Sequence, residues 1–132
     1  MKKYLAITLV IGSVLLCAVL YLNVFVDRRR DILKHILQIQ TLPKFEILDY
    51  GEDVWTDEIY CFALQIPKEN MKMILAGRDW QKREVIQVVK TMHINPPVII
   101  NSEIQYLYNN ANTRIEISVS TDGTTIIDYS SD

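Results

Sequence analysis

From Tyr4 to Val26 the chain contains no charged side chain, and this apolar run lies between Lys2-Lys3 and Asp27-Arg28-Arg29-Arg30. At a helical rise of about 1.5 Å per residue it covers roughly the 30 Å hydrocarbon thickness of a bilayer, with cationic residues at both ends where headgroups would lie. Residues 4–26 therefore read as a transmembrane helix in contact with lipid, and residues 1–3 as a short basic terminus.

A removable signal peptide has an apolar core of about 7 to 15 residues and small residues at its cleavage site. This run is longer. The best cut, after Ala18, has Leu16 where a small residue is required, and Leu16 also precedes Cys17, where a lipoprotein signal needs a small residue. The reading is an uncleaved signal anchor, with cleaved signal and lipoprotein as alternatives, and Cys17 is a compact apolar residue within the span. Basic residues nearly balance across the span: Lys2 and Lys3 on one side, Arg28, Arg29, Arg30 and Lys34 on the other. A strict count favours a cytoplasmic body, whereas a minimal basic start followed at once by an apolar core has the shape of an export signal. The expectation is a single-pass protein of the cell membrane with an extracytoplasmic domain.

About a hundred residues follow the span, enough for one small core. The whole chain has 14 basic and 16 acidic residues; from position 27 onward Lys2 and Lys3 are lost and no acid is, leaving 12 against 16, a net charge of −4. Nucleic acid is not expected as a partner, because phosphate binding needs a clustered basic face.

Residues 27–42 read as a juxtamembrane helical stalk: Ile32, Leu33, Ile36 and Leu37 repeat at helical spacing, and Pro43 is expected to end the helix. From 43 to 132 the pattern is that of a small α+β domain. Phe45 to Tyr50 and Glu58 to Ile66 alternate as strands, and the second is apolar on both faces, as in a central or doubly covered strand. Pro67 to Gly77 is a helix cassette with proline in its first turn and glycine past its end. In Gln81 to His93, Val85, Val88, Val89 and Met92 fall at i, i+3, i+4 and i+7, favouring a second helix, with a strand as the alternative given the β-branched content. Val98 to Asn101, Glu103 to Tyr108, Thr113 to Ser120 and Thr124 to Tyr129 read as strands. Asp122-Gly123 marks a hairpin whose type I′ turn would place both residues at positive φ, and Asn109 to Asn112 a looser turn. The expected architecture is a transmembrane helix followed by an antiparallel sheet with one or two helices on one face.

Chemistry-bearing residues are sparse. Asp49, Glu52, Asp53, Asp57 and Glu58 cluster around the first turn, but their spacing and the place of Gly51 match no calcium loop, so the cluster reads as a solvated acidic loop, with a cation site or a contact for a basic partner as the alternatives. Trp55, in that turn, is either a lid on the core, the favoured reading, or an exposed contact residue. His35 and His93 show no ligand spacing, so no metal and no cofactor is expected. Cys61 with His93 could form a nucleophilic pair, but Cys61 sits mid-strand where a buried structural thiol is the usual explanation. No Gly-rich phosphate loop exists. Tyr106 and Tyr108 share a strand face and serve either cross-strand packing or recognition. The candidate contact residues are Glu52, Asp53, Trp55, Asp57, Tyr106 and Tyr108.

The segment Leu42-Pro43-Lys44-Phe45-Glu46-Ile47, the Asp57 that precedes an aromatic strand, and Pro67-Lys68-Glu69 opening a helix that ends at Gly77 before Trp80 resemble small membrane-anchored or exported bacterial proteins without assigned activity. The resemblance spans about a third of the chain and implies a fold layout and a bacterial envelope setting. The residues point to a non-enzymatic interaction module with a protein partner, the alternative being an inhibitor or immunity-type protein that blocks a basic partner at the membrane.

Overall fold

The computed structural model describes residues 2–132. Met1 and the side chains of Lys2, Phe25, Val26 and Asp27, which belong to the basic terminus and the end of the apolar run, lie outside the described residues. The chain forms two compact units, Met1–His35 and Ile36–Asp132.

The first unit is helical. Helix α1, Lys2–Leu37, runs through 36 residues and is long and apolar enough to cross a membrane. Its described side chains from Tyr4 to Val24 are exposed, and its few hydroxyls turn inward: Thr8 Oγ1 donates to the Tyr4 carbonyl at 2.9 Å and Ser13 Oγ to the Val10 carbonyl at 2.8 Å. Such back-bonding satisfies a hydroxyl where no water is at hand. The helix stops at Leu37 because Gln38 adopts φ 55°, the left-handed cap conformation, five positions before the proline expected to end it.

The second unit is a six-stranded antiparallel sheet with a short helix on one face, an α+β fold. Its strands are β1 (Glu46–Asp53), β2 (Glu58–Gln65), β3 (Gln81–Lys90), β4 (Ile99–Asn109), β5 (Thr113–Ser120) and β6 (Thr124–Ser131), in the spatial order β1-β2-β6-β5-β4-β3. Helix α2, Met71–Leu75, follows a single 3₁₀ turn at Lys68–Asn70. One correction concerns Gln81 to His93, whose helical spacing is realised as strand β3. The cause is a bulge: between Glu84 and Gln87 the register against β4 slips by one residue, so the apolar positions lose their two-residue period. The two segments read as Val98 to Asn101 and Glu103 to Tyr108 are one strand, β4, with its own bulge between Ser102 and Ile104. The hairpin at Asp122-Gly123 is also built differently. Gly123 alone is left-handed, at φ 87°, and its N–H bonds the Ser120 carbonyl at 3.2 Å, so Thr121 and Asp122 form a type I turn and the glycine supplies the bulge residue after it.

Registers assign the faces. Phe62↔Ile127↔Ile117↔Tyr106 and Tyr60↔Tyr129↔Ile115↔Tyr108 run across the first face. Helix α2 lies on this side, since its Met71 lines one groove with Ile104, Tyr106 and Val119. Ile36, Leu37, Ile66 and Ile74 are fully buried. A Cβ on Gly77 would overlap the carbonyl oxygens of Leu37 and Gln38, and Arg78 Nε donates to the Ile36 carbonyl at 2.7 Å, so within the second unit residues 36–38 pack closely on the segment after α2.

The second face carries Cys61 and Ala63 of β2 and Ile126 of β6, packed with Ile94 and Ile100 and flanked by Val89 and Val98. The bulges at residues 84–87 and 102–104 thus let the outer half of the β3–β4 hairpin fold over this face. Strand β2 is buried on both sides, with Cys61, Phe62, Ala63 and Leu64 at zero exposure.

Candidate functional site

The β1–β2 connection is short and polar at its ends, so the two strands close around Val54 to Asp57 with Asp53 opposite Ile59 and Glu52 opposite Tyr60. The backbone N–H of Trp55 lies 3.4 Å from Asp53 Oδ1, which turns the chain, and Tyr50 Oη donates to Glu52 Oε2 at 2.5 Å. Trp55 itself is 93 % exposed. The favoured reading of this residue as a core lid is therefore corrected: the turn extends past the last sheet pairing, Asp53 with Ile59, and the indole stands in solvent rather than over the core.

Glu52, Asp53, Trp55 and Asp57 are brought together at this turn. Tyr106 and Tyr108 are not: they stand on β4, four strands along the sheet. Tyr108 is half-buried, with the Arg78 guanidinium 4.4 Å over its ring and the Trp80 ring edge-on at 6.1 Å, an arrangement that fixes the segment after α2 to the sheet. Tyr106 lines the groove beside Met71 and Lys68. The other three tyrosines of the sheet pair across strands, Tyr60 with Tyr129 at 5.8 Å between centroids and Tyr50 with Phe62 at 4.8 Å.

Beside the Trp55 turn, on the second face, lies a cleft of about 380 Å³ formed by Ile59, Met92, His93, Arg114, Glu116, Asp128, Tyr129 and Ser130. No short motif announces it. Glu116 and Asp128 are opposite each other across the β5–β6 pairing, and Cys61 is opposite Asp128 across β2–β6, so three separate strands place two carboxyls and a thiol in one row. His93 and Met92 arrive from the folded-over hairpin tip. The only sequence signal was polar residues at inward positions of otherwise apolar strands.

The electrostatics follow from this crowding. Burial pushes the Cys61 thiol far above its ordinary value; the Asp128 charge and the hydrogen bond to it act the same way, partly opposed by backbone hydrogen bonds from Met92 and His93. Burial also raises the Asp128 carboxyl. The Cys61 hydrogen bond and His93 act against that rise, and the Glu116 charge adds to it. Glu116 is held by Gln105 Nε2 at 3.1 Å and by an ion pair with Arg114 at 3.4 Å. Cys61 and His93 do meet, but through the His93 backbone to the sulfur, and a thiol kept protonated is a poor nucleophile.

Among the described residues no three His, Cys, Asp or Glu side chains converge as a metal site would require. Chemically, the turn offers an exposed indole beside three carboxylates, and the cleft offers two carboxyls, an arginine and an imidazole. No protein-family model, curated protein or solved structure matches the chain.

Proposed function

We propose that the chain is a single-pass protein of the bacterial cell envelope, anchored by residues 4–26, whose C-terminal unit lies outside the cytoplasm and acts as a non-catalytic module that binds a protein. The observation that carries this reading is Trp55, standing 93 % exposed between Glu52, Asp53 and Asp57. A large aromatic held in water is disfavoured in a monomer, and tryptophan is enriched among the residues that dominate binding energy at protein interfaces. The surrounding carboxylates would steer a basic partner and set its orientation.

Site-specific photocrosslinking tests it. With a photoreactive phenylalanine in place of Trp55 in the full-length chain, irradiation of intact membranes should yield a discrete adduct that weakens at high salt and in the Glu52→Ser/Asp53→Ser/Asp57→Ser background. The same probe at the exposed Asn109 should yield none. Equal labelling at both positions would reject the turn as the contact site.

A further inference from the structure

Five of the large apolar side chains left exposed in the second unit, Val85, Ile86, Val88, Met92 and Ile99, belong to the β3–β4 hairpin, with Ile86 at 88 % and Val88 at 68 % exposure. Val89 pairs with Ile100, and both pack toward Cys61 and Ala63 on the second face. Side chains alternate along a strand, so the neighbouring pairs, Val88 with Asn101 and Lys90 with Ile99, point away from that core. Ile86 stands out beside them at the bulge. Strand β3 is an edge of the sheet, but it is not shaped to receive another strand. The bulge between Glu84 and Gln87 interrupts its outer row of backbone groups, and Lys82, Arg83 and Lys90 flank the break, which are the devices that keep an edge from pairing. The apolar side chains are left for a surface that requires no backbone ladder.

Charge selects that surface. Residues 68–109, which run from the turn before α2 to the end of β4, carry six basic and four acidic side chains, whereas the rest of the second unit carries two basic and ten acidic. The exposed apolar group thus lies in the part of an acidic unit whose balance is positive. The opposite edge, β1, holds Glu46, Asp49, Glu52 and Asp53, which an anionic surface repels. Lysine beside exposed aliphatic side chains is the composition that settles in the headgroup layer of anionic lipid, with the aliphatic groups at the acyl boundary and the ammonium groups at phosphates. Such a bilayer is also within reach: only residues 27–35 separate the apolar run from the second unit, and nine residues span at most about 30 Å. We propose that the outward surface of the β3–β4 hairpin is a second membrane contact, in which Ile86, Val88 and Ile99 enter the headgroup layer of an anionic phospholipid surface and Lys82 and Lys90 meet its phosphates. The inference rests on residues 4–26 as an anchor in that bilayer and is independent of the Trp55 turn.

Probe fluorescence of the full chain in bilayer discs tests it. In a Cys17→Ala background, with Cys61 buried, an NBD label is placed at the exposed Asn101 by Asn101→Cys or, on the opposite edge, by Glu46→Cys. In discs containing phosphatidylglycerol, emission at position 101 should shift to the blue, and lipids spin-labelled near the headgroup should quench it several-fold more than emission at position 46. Discs of phosphatidylcholine alone, high salt, Lys82→Glu/Lys90→Glu, or Ile86→Asp/Val88→Asp should each largely return position 101 to its behaviour in water. Unchanged thermal unfolding by circular dichroism confirms that these exposed substitutions leave the fold intact. The proposal is overturned if positions 101 and 46 are quenched alike in anionic discs, or if reversing the lysines has no effect. A blue shift that is equal in both lipids and vanishes in discs holding a single copy assigns the patch to a second chain, and also overturns it. Resistance to carbonate extraction is read in parallel: a chain that is washed from vesicles rejects the anchor and this inference together, whereas a retained chain with position 101 in water rejects this inference alone.

Discussion

Gly51 of β1 supports the carbonyl of His93: a Cβ at position 51 would overlap that oxygen, and Ile94 Cγ1 would stand 3.2 Å away. The hairpin tip can therefore close over the second face only because position 51 has no side chain. Gly51→Ala must push the tip outward and loosen Ile94 from Cys61, Ala63 and Ile126. Overpacking of this kind costs about 1–3 kcal/mol. Chemical denaturation of the full chain in micelles should show that loss, with a larger one for Gly51→Val.

Asp128 makes stability depend on pH. Its folded carboxyl is raised by burial, so its protonated form is favoured by folding. The associated stability is fully present below the ordinary carboxylate value near 4 and is lost as pH rises through the higher folded value. Asp128→Asn keeps an oxygen to accept the Cys61 hydrogen bond and removes the charge facing Glu116. The variant should melt higher than the native chain at pH 7, and the difference should shrink as pH falls toward 4. Melting curves recorded across that interval check both sign and window.

Cys61 is buried, and its thiol is held protonated by burial and by Asp128. Because the thiolate is the reactive species, a water-soluble maleimide should leave Cys61 unmodified in the folded chain and label it after denaturation. Asp128→Asn removes one of the groups that hold the proton but not the burial, so native labelling should stay negligible. Rapid labelling of the folded protein would show that the hairpin tip opens on the timescale of the reaction.

The sequence made most of this fold legible because most of its strands obey a two-residue period and are bounded by turn residues. β5 coincides with its expected limits, and β2 announces its double burial through Tyr60 to Ile66. The second face was hidden for a physical reason. Bulges in β3 and β4 break the alternation that marks a strand, and in β3 the broken pattern imitates a helix at Val85, Val88, Val89 and Met92. The same bulges fold the hairpin over, so His93 reaches Cys61 and Asp128 through pairings that no local spacing encodes. Trp55 was ambiguous because one indole in a polar turn reads alike whether it folds back or projects.

The apolar run should remain attached. Leu16 occupies the position that a cleavable site gives to a small residue, and α1 continues unbroken past it to Leu37. Intact mass of material purified from membranes should correspond to the full chain. A species lacking the first eighteen residues would show that the segment acts as a removable export signal.

The acidic turn gives the last test, because its effects on folding and on binding should separate. Trp55 is almost wholly exposed and its backbone N–H lies 3.4 Å from Asp53 Oδ1, a long hydrogen bond, so Trp55→Ala and Glu52→Ser/Asp53→Ser/Asp57→Ser should each change stability by under about 0.5 kcal/mol. The triple variant loses the acceptor of the Tyr50 hydroxyl, an exposed hydrogen bond that water can replace. Partner capture should respond differently. Removing the indole should weaken it at all salt concentrations, since burial of apolar surface is not screened. Removing the carboxylates should weaken it chiefly at low ionic strength, because charges more than about 10 Å apart are already screened at 0.1 M salt. Capture that is insensitive to both changes, with folding intact, would return these four residues to the role of a solvated turn. A cooperative loss of folding in the triple variant would instead show that the carboxylates hold the local backbone together.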